Sequence, residues 1–196
     1  MTDLTGRIAL VTGAAGGIGG AISRQLAAAG ATVAACDLNE SAAKDVAASL
    51  GASHRGYAMD ISDSKAVTAA LSTIESDLGP VDILVNNAGI DKIERFVDSK
   101  EDTWRAIVNV NYLGTVIVTR AVLDSMIERR SGRIINISFP MPVGSDPPAR
   151  WCTQAPRARS SRSARRSHAR SPPRASRSTL SARARPTPLS STRSPS

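Results

Sequence analysis

The sequence has few cysteines, few aromatic residues and no recognisable export signal. Cys36 and Cys152 are too few for a disulfide framework, and no CxxC pair or histidine cluster indicates a metal site. The N-terminus, MTDLTGRIALVTG, lacks the basic and apolar regions of a signal peptide, and no window approaches the roughly 18 apolar residues of a membrane span. These absences predict a cytoplasmic protein in a reducing compartment, with no membrane partner.

Proline is almost absent from residues 1–139 and concentrated after them. Residues 140–196 hold ten of the eleven prolines and twelve arginines, with no lysine and one acid, Asp146. Residues 1–139 carry thirteen basic and sixteen acidic residues, so the basic character belongs to the C-terminal segment alone. That segment cannot bury enough apolar surface to offset its ordering entropy. We therefore expect a folded domain over residues 1–138 and a disordered, basic Arg/Ser/Pro-rich tail over residues 139–196.

Short β-branched runs alternate with longer stretches of helical period between Arg7 and Ser138. The predicted strands are RIALVTG, ATVAACD, RGYAMDIS, VDILVNNAG and RIINIS. The predicted helices are GIGGAISRQLAAAG, SAAKDVAASLG, SKAVTAALSTIESDLG and one long segment from Glu101 to Arg130. This alternation is typical of the α/β class, with a parallel sheet covered by helices on both faces.

The stretch TGAAGGIG, Thr12 to Gly19, follows a buried strand and opens a helix. Glycines there allow a sharp turn and close approach to a pyrophosphate, whose charge meets free N–H groups and the positive end of the helix dipole. A plain tight turn is the alternative.

Asp37 closes the second strand, where a carboxylate can bind both ribose hydroxyls and repel a 2′-phosphate, which favours NAD over NADP. A solvated acid or a helix cap is the alternative. Asp60 is placed either to meet the adenine edge or to cap the next helix.

Asparagines mark two further points. NNAG, Asn86 to Gly89, ends the fourth strand at the carboxyl edge of the sheet, where ligands of open α/β sheets bind, although the two amides could instead satisfy a buried turn. Asn111 lies inside an otherwise apolar helix. Because asparagine is unfavourable in helix interiors and costly to bury unpaired, we expect it to belong to a hydrogen-bond network.

These motifs occur in the order and spacing of the short-chain dehydrogenase/reductases, which residues 5–138 resemble. The shared set is TGxxxGxG, the acid after strand two, NNAG, the asparagine of NVNYLG and the strand GRIINIS. The resemblance implies a Rossmann-type, doubly wound fold and hydride transfer between NAD(P) and a secondary alcohol or ketone. It implies that the following residues lie near the cofactor: Gly13, Gly17, Ile18, Gly19, Asp37, Asp60, Ile61 and Asn87. Within the family, NNAGIDKIERF and VNVNYLGT look most like 3-oxoacyl-carrier-protein reductases and hydroxyacyl-CoA or 2-hydroxycyclohexanecarboxyl-CoA dehydrogenases, which implies an acyl thioester substrate.

The family's catalytic tetrad of Asn, Ser, Tyr and Lys is largely missing. In the family the tyrosine hydroxyl exchanges the substrate proton, a lysine four residues later lowers its pKa, and a serine orients the substrate oxygen. No YxxxK occurs here: Tyr57 and Tyr112 are the only tyrosines, and no lysine follows position 100. Phe139 stands at the expected serine position, and its neighbour Ser138 faces the other side of the strand. Asn111 matches the family's asparagine, so the candidate catalytic residues are Asn111 and Ser138.

An out-of-frame reading accounts for the composition of the tail. We considered the reading frame that begins at the third base of each codon encoding this chain. In that frame WCTQAPRA permits VVYTGAKG, which contains YxxxK, and PVGSDPPAR permits GRVGSSGEV. STLSARARPTP permits VNALCPGPTDT in the same frame, which resembles the family's next motif. Our hypothesis is that a shift of reading frame near Phe139, genetic or from sequencing, replaced the catalytic helix and everything after it. Resequencing across codons 136 to 142 tests it.

This hypothesis has consequences for the rest of the chain. Five strands remain, in the expected order 3-2-1-4-5, and the fifth presents an unpaired edge and an uncovered apolar face. We expect weak NAD binding and negligible turnover, and we do not expect the homo-oligomers common in the family. Two other interpretations stay open: the arginine-rich tail binds nucleic acid non-specifically, or Tyr112 serves as an unusual proton donor.

Overall fold

The computed structural model describes residues 3–92, 94–138 and 150–151. Within them the strands are β1 (Ile8–Thr12), β2 (Thr32–Asp37), β3 (Arg55–Ala58), β4 (Ile83–Asn86), β5 (Glu94–Arg95), β6 (Arg133–Asn136) and β7 (Arg150–Trp151). The α-helices are α1 (Gly17–Ala28), α2 (Glu40–Leu50), α3 (Ser64–Leu78), α4 (Glu101–Val108) and α5 (Thr115–Glu128). A 3-10 turn, Phe96–Asp98, precedes α4, and a π-helical segment, Asn109–Gly114, joins α4 to α5.

Five strands form one parallel sheet in the order β3-β2-β1-β4-β6. This confirms the predicted order 3-2-1-4-5, since the short strand β5 lies outside this sheet. Thr12 at the end of β1 is in register with Cys36 of β2, and Val11 is in register with Val85 of β4. The segments that follow β1, β2 and β4 therefore meet at one edge of the sheet. That edge is where the sequence places the candidate site.

Alternation along the strands builds two cores, one on each face of the sheet. All five residues of β1 are buried, and successive residues point to opposite faces. Leu10 belongs to the cluster that includes residues of α3 and α5, such as Ile74 and Val118. Ala9 and Val11 belong to the cluster packed by residues of α1 and α2. Helices on both faces give the doubly wound arrangement expected from the sequence.

Local signals start and end the helices on those faces. The side chain of Asn39 accepts a hydrogen bond from the first turn of α2, and that of Asp63 does the same for α3. Both helices end at glycines with positive φ, Gly51 at 124° and Gly79 at 102°. These four residues fix the points at which the chain returns to the sheet.

A charged cluster holds the edge of the sheet where β1 and β4 begin. Arg129 donates to Asp82 Oδ1 at 3.0 Å and to the Val81 carbonyl at 2.7 Å. Asp82 Oδ2 accepts from the backbone N–H of Ile8 at 3.1 Å, and its side chain is 12% exposed. The cluster ties the end of α5 to the first residues of two central strands, at the opposite end of those strands from the candidate site.

The long predicted helix differs from the observed one in its ending and its hydropathy. The α-helix ends at Glu128 rather than Arg130, which has a positive φ of 50°. The expectation that no segment is apolar enough for a membrane span is wrong here. Glu101–Glu128 contains an 18-residue window of mean hydropathy 1.5, because its valines and isoleucines outweigh its two asparagines. Only 17% of that window is buried. Core helices of folded proteins reach the same length and mean hydropathy, and Val122 of this helix is buried in the core.

Residues 139–196 were predicted as a tail without secondary structure, and two of them are paired. β5 and β7 form an antiparallel pair, with Glu94 opposite Trp151 and Arg95 opposite Arg150. A two-residue backbone pairing requires an extended segment but no apolar side chains, which is why composition did not predict it. Phe139 and residues 156–196 lie outside the described residues, and so do the segments read out of frame apart from Arg150 and Trp151. The domain boundary at residue 138 and nucleic-acid binding by the tail therefore stay predictions.

Apolar side chains are exposed on β6 and on the helix beside it. Within the described ranges β6 pairs with β4 alone, and Ile135 is 45% exposed. Six apolar or aromatic residues of the helical stretch are between 43% and 67% exposed: Trp104, Val108, Tyr112, Leu113, Val116 and Ile127. Apolar surface is therefore exposed both at the β6 edge of the sheet and along this helical stretch.

Candidate functional site

The turn between β1 and α1 requires glycine at two positions. Gly13 has a φ of 65°, and a Cβ there would lie 2.8 Å from the Cα of Ala88. A Cβ at Gly19 would overlap the Gly13 carbonyl and lie 2.7 Å from Asn87 Nδ2. A side chain at either position would push the turn away from the end of β4. The glycines thus serve close packing between the two loops as well as the sharp turn.

The first turn of α1 is open to an anionic ligand. Its N-cap, Gly16, makes no side-chain capping bond, and the first helical turn contains no acid. The N–H groups of that turn have no acceptor inside the helix. A Cβ at Gly17 would meet no other atom within 4 Å, and Ile18 is 44% exposed. Space, free donors and the helix dipole together fit a pyrophosphate.

Thr12 and Asn87 hold the turn against β4. The Thr12 hydroxyl accepts from the backbone N–H groups of Asn87 at 3.0 Å and Ala88 at 3.1 Å. The Asn87 side-chain amide donates to the carbonyls of Thr12 at 3.1 Å and Gly13 at 3.2 Å. Thr12 is buried, so these bonds are shielded from water. Asn87 therefore shapes the turn, a role that the sequence motif alone did not specify.

Asp37 lies beside the same turn. One carboxylate oxygen accepts from the backbone N–H of Ala15 at 3.0 Å, and the other accepts from that of Asn39 at 3.1 Å. The side chain is half-buried at the end of β2. Asn39 caps α2, so Asp37 is not the helix cap. A carboxylate oriented by two N–H groups in this position is suited to accept hydrogen bonds from ribose hydroxyls.

Asp60 and Ile61 follow β3 at the same edge. The Asp60 carboxylate accepts from the N–H of Ser62 at 2.9 Å and from its hydroxyl at 2.7 Å, which closes a turn. Asp63 caps α3, so the capping alternative for Asp60 is wrong. Ile61 is 7% exposed and its side chain packs in the core. Ile61 therefore contributes to the site through the position of its backbone.

Asn111 makes the expected hydrogen bonds. Its Oδ1 accepts from the N–H of Ile90 at 2.8 Å, and its Nδ2 donates to the Ile90 carbonyl at 2.9 Å. The hydrogen-bond prediction is confirmed. The residue lies in the π-helical segment, and segments of this kind are often found at functional sites. The amide pairs with the backbone directly after NNAG and fixes that loop to the helix.

A polar cluster between β4, β6 and α5 was not predicted. The Asn86 amide donates to Asn136 Oδ1 at 2.8 Å and to Thr119 Oγ1 at 3.0 Å, and Asn86 is 5% exposed. The signal that could have found this cluster is the asparagine in each of two adjacent parallel strands, at positions in register. Ser138 lies two residues beyond β6 and is exposed. Its catalytic role stays a prediction.

Neither tyrosine is arranged as the family's proton donor. Tyr57 is buried on β3 and donates to Asp77 Oδ2 at 3.0 Å. Burial, with the hydrogen bond and charge of Asp77, raises the pKa of Tyr57 far above its ordinary value, so its proton is held rather than exchanged. Tyr112 is 67% exposed and neighbours Asn111. The sequence provides no lysine four residues after either tyrosine.

Comparison with known proteins gives one family. The family model for short chain dehydrogenases matches residues 7–145. A 3-oxoacyl-[acyl-carrier-protein] reductase from Vibrio harveyi is 42% identical over 135 residues, covering 69% of this chain and 55% of the relative. An acetoacetyl-CoA reductase from Shinella zoogloeoides is 45% identical over 133 residues, covering 67% of this chain and 54% of the relative. A D-threitol dehydrogenase from Mycolicibacterium smegmatis is 40% identical over 138 residues, covering 69% and 53%.

A solved structure supports the same relationship. A protein from Novosphingobium aromaticivorans described as a short-chain dehydrogenase matches with a TM-score of 0.65 at 30% sequence identity. The match covers 69% of this chain and 53% of that one. The chain thus spans about half the length of the relatives it matches.

Proposed function

This chain belongs to the short-chain dehydrogenase family, and on that basis we propose that it binds a nicotinamide dinucleotide with the cofactor half of the family's site and lacks the proton-delivering half. The observation that carries the proposal is the glycine turn that Asn87 and Thr12 hold against β4 while the first turn of α1 stays open. A plain tight turn would require neither the open helix terminus nor the acid beside it.

The residues present at the carboxyl edge of the sheet fit a dinucleotide. The first turn of α1, at Gly17, Ile18 and Gly19, would hold the pyrophosphate. Asp37 would bind the adenosine ribose, and the Asp60–Ile61 backbone would meet the adenine edge. Asn87 would hold the turn under the pyrophosphate. When bound, the nicotinamide supplies or accepts the hydride that interconverts a ketone and a secondary alcohol.

Asp37 is the basis for a preference for NAD over NADP. Its carboxylate is already oriented by the N–H groups of Ala15 and Asn39. A 2′-phosphate placed beside it would bring two negative groups together, whereas ribose hydroxyls would donate to it. We therefore expect NADH to bind at least about tenfold more tightly than NADPH, a difference of about 1.4 kcal/mol.

Isothermal titration of the full chain with NADH and NADPH tests this preference. Asp37→Asn removes the charge and keeps an acceptor, so it should weaken NADH binding and narrow the gap between the two cofactors. Asp45→Asn changes the chain's charge equally on α2 and is the matched control; it should leave both affinities unchanged. Equal binding of NADPH and NADH by the unmodified chain would contradict the preference, and binding of neither would contradict the proposed function.

Turnover is expected to be negligible because Asn111 and Ser138 are the remaining candidates from the family's tetrad. Asn111 would anchor the loop after NNAG through its two bonds to Ile90. Ser138 is the hydroxyl next to the family's serine position, on the other side of the strand. Neither group replaces the acid that the Tyr and Lys pair provides. A restored reading frame near Phe139 should return that pair and with it the activity. Resequencing of the gene and assay of the corrected protein test this, and an intact natural frame would contradict it.

The substrate class we propose is a ketone or secondary alcohol carried on an acyl thioester. Two relatives are named for such substrates, 3-oxoacyl-acyl-carrier protein and acetoacetyl-CoA. A third is named for threitol, which shares only the secondary alcohol. Oxidation of NADH by the corrected protein with acetoacetyl-CoA, compared with an unesterified 3-ketone, would distinguish the thioester class from simple ketones.

A further inference from the structure

Gly114 ends the π-helical segment and is in contact with the loop after β3. The residue is buried, and a Cβ at this position would lie 2.7 Å from Cδ1, 2.8 Å from Cγ1 and 3.3 Å from Cβ of Ile61. The two shorter distances are below 3.0 Å, closer than non-bonded carbon atoms approach, so any side chain at position 114 would have to displace Ile61 or the helix. Glycine is therefore required by the packing and not by backbone conformation.

Neither displacement is easy. Ile61 is β-branched, is 7% exposed, and belongs to the buried cluster that includes Met59 and Val118. Protein interiors are packed too tightly for such a side chain to move without moving its backbone. Moving the helix instead would disturb Asn111, which lies in the same π-helical segment and makes two bonds to Ile90.

The backbone of Ile61 is continuous with the Asp60 turn. The Asp60 carboxylate is held by two bonds to Ser62, so Asp60, Ile61 and Ser62 move as a unit. One short segment of helix thus contacts both loops of the candidate site: the loop after β3 through Gly114 and the loop after β4 through Asn111.

We propose that Gly114 is a positioning residue for adenine recognition: the absence of a side chain there lets the Asp60–Ile61 turn lie close enough to the helix to meet the adenine edge. The inference rests on the proposed function, since it assigns Gly114 a part in binding the same dinucleotide. It concerns the adenine half alone, because the contact of Gly114 is with the loop after β3.

The test is a titration of the full chain and its variants with ADP, NADH and nicotinamide mononucleotide. Gly114→Ala should weaken ADP and NADH by the same factor, about tenfold or more if the overpacking is relieved by shifting the turn. Binding of nicotinamide mononucleotide should be unchanged wherever it is measurable in the unmodified chain. A purely structural loss of folded protein would lower the number of sites for every ligand and leave their dissociation constants alone.

Gly132→Ala is the matched control. A Cβ at Gly132 would also be overpacked, lying 2.6 Å from Cγ of Met126, but Gly132 precedes β6 at the other end of the sheet. It should lower stability and leave the ADP affinity unchanged. In a double-mutant cycle, Ile61→Ala should restore much of the stability lost in Gly114→Ala, because it removes the two atoms in closest contact.

The outcomes separate the two proposals. If the unmodified chain binds ADP and NADH and Gly114→Ala binds them equally well, the positioning role is overturned and the proposed function stands. If the unmodified chain binds neither, both are overturned. Additive stability losses in Gly114→Ala and Ile61→Ala would also overturn the positioning role, since they would show that the two residues do not act on each other.

Discussion

Replacing Thr12 with valine tests whether polar bonds or apolar packing hold the glycine turn in place. The hydroxyl accepts from two backbone N–H groups at 3.0 and 3.1 Å and donates to the Val85 carbonyl at 3.4 Å. Thr12→Val keeps the shape of the side chain and leaves both N–H groups without an acceptor. An unpaired buried donor costs about 1–3 kcal/mol, and because Asn87 and Ala88 are only half-buried we expect a total loss of about 2–3 kcal/mol.

Thr12→Ser is the control that separates the two explanations. It keeps the hydroxyl and removes one methyl group, which should cost about 1 kcal/mol. Urea unfolding of the two variants and the unmodified chain, followed by circular dichroism, measures the free energies of unfolding. The hydrogen-bond account predicts that valine is less stable than serine. The reverse order, or a valine variant as stable as the unmodified chain, would refute it.

Three further predictions concern parts of the fold outside the site. The Val33 N–H donates to His54 Nδ1 at 3.0 Å, and burial lowers the pKa of His54. The stability that neutral His54 contributes is therefore fully present above its ordinary pKa of about 6.5 and is lost as the pH falls below that value. The melting temperature should fall between pH 7 and 5, and His54→Gln should reduce that fall; an equal fall in the variant would count against this. Arg129→Met should lower the free energy of unfolding by about 1–2 kcal/mol in urea, because it removes donors from the Asp82 carboxylate and the Val81 carbonyl, and a loss below about 0.3 kcal/mol would contradict a stabilising role for this charged cluster. Ser23→Ala should be neutral or stabilising by up to about 1 kcal/mol, since the buried Ser23 hydroxyl lacks a hydrogen-bond partner in the described structure, and marked destabilisation would disprove this.

The sheet and the edge that carries the candidate site were predictable because they depend on short-range signals. Buried runs such as IALVT alternate with helices that are capped by Asn39 or Asp63 at the start and by Gly51 or Gly79 at the end. Parallel strands joined by helices leave few possible strand orders, and the one expected is the one observed. Residues that follow those strands must then lie at one edge.

The π-helical segment could not be predicted, because nothing local distinguishes it from the α-helix on either side. Its residues make two contacts distant in sequence, Asn111 with Ile90 and Gly114 with Ile61. The asparagine indicated that some partner was needed without indicating which one. The polar cluster of Asn86, Asn136 and Thr119 was also not predictable from local sequence, since its members come from three separate elements.

Hydropathy gave a wrong expectation for the long helix for a related reason. The segment Glu101–Glu128 carries apolar residues on most sides, and only part of them pack against the sheet. Its two asparagines interrupt the apolar residues, so the segment contains no long uninterrupted apolar run. Its mean hydropathy over 18 residues is nevertheless high. Tertiary packing determines which of its apolar residues are buried, and the sequence of the helix alone does not indicate it.

Titration of NADH into a Gly17→Glu variant tests the central claim most directly. A side chain at Gly17 meets nothing within 4 Å, so the variant should fold, and a carboxylate in the first turn of α1 should stabilise the helix by about 0.3–1 kcal/mol. The same charge would occupy the place proposed for the pyrophosphate. We predict a raised melting temperature together with NADH binding at least about tenfold weaker than that of a Gly17→Gln control, which has the same size without the charge. Equal NADH affinity in the two variants would contradict the claim that this helix terminus holds the dinucleotide.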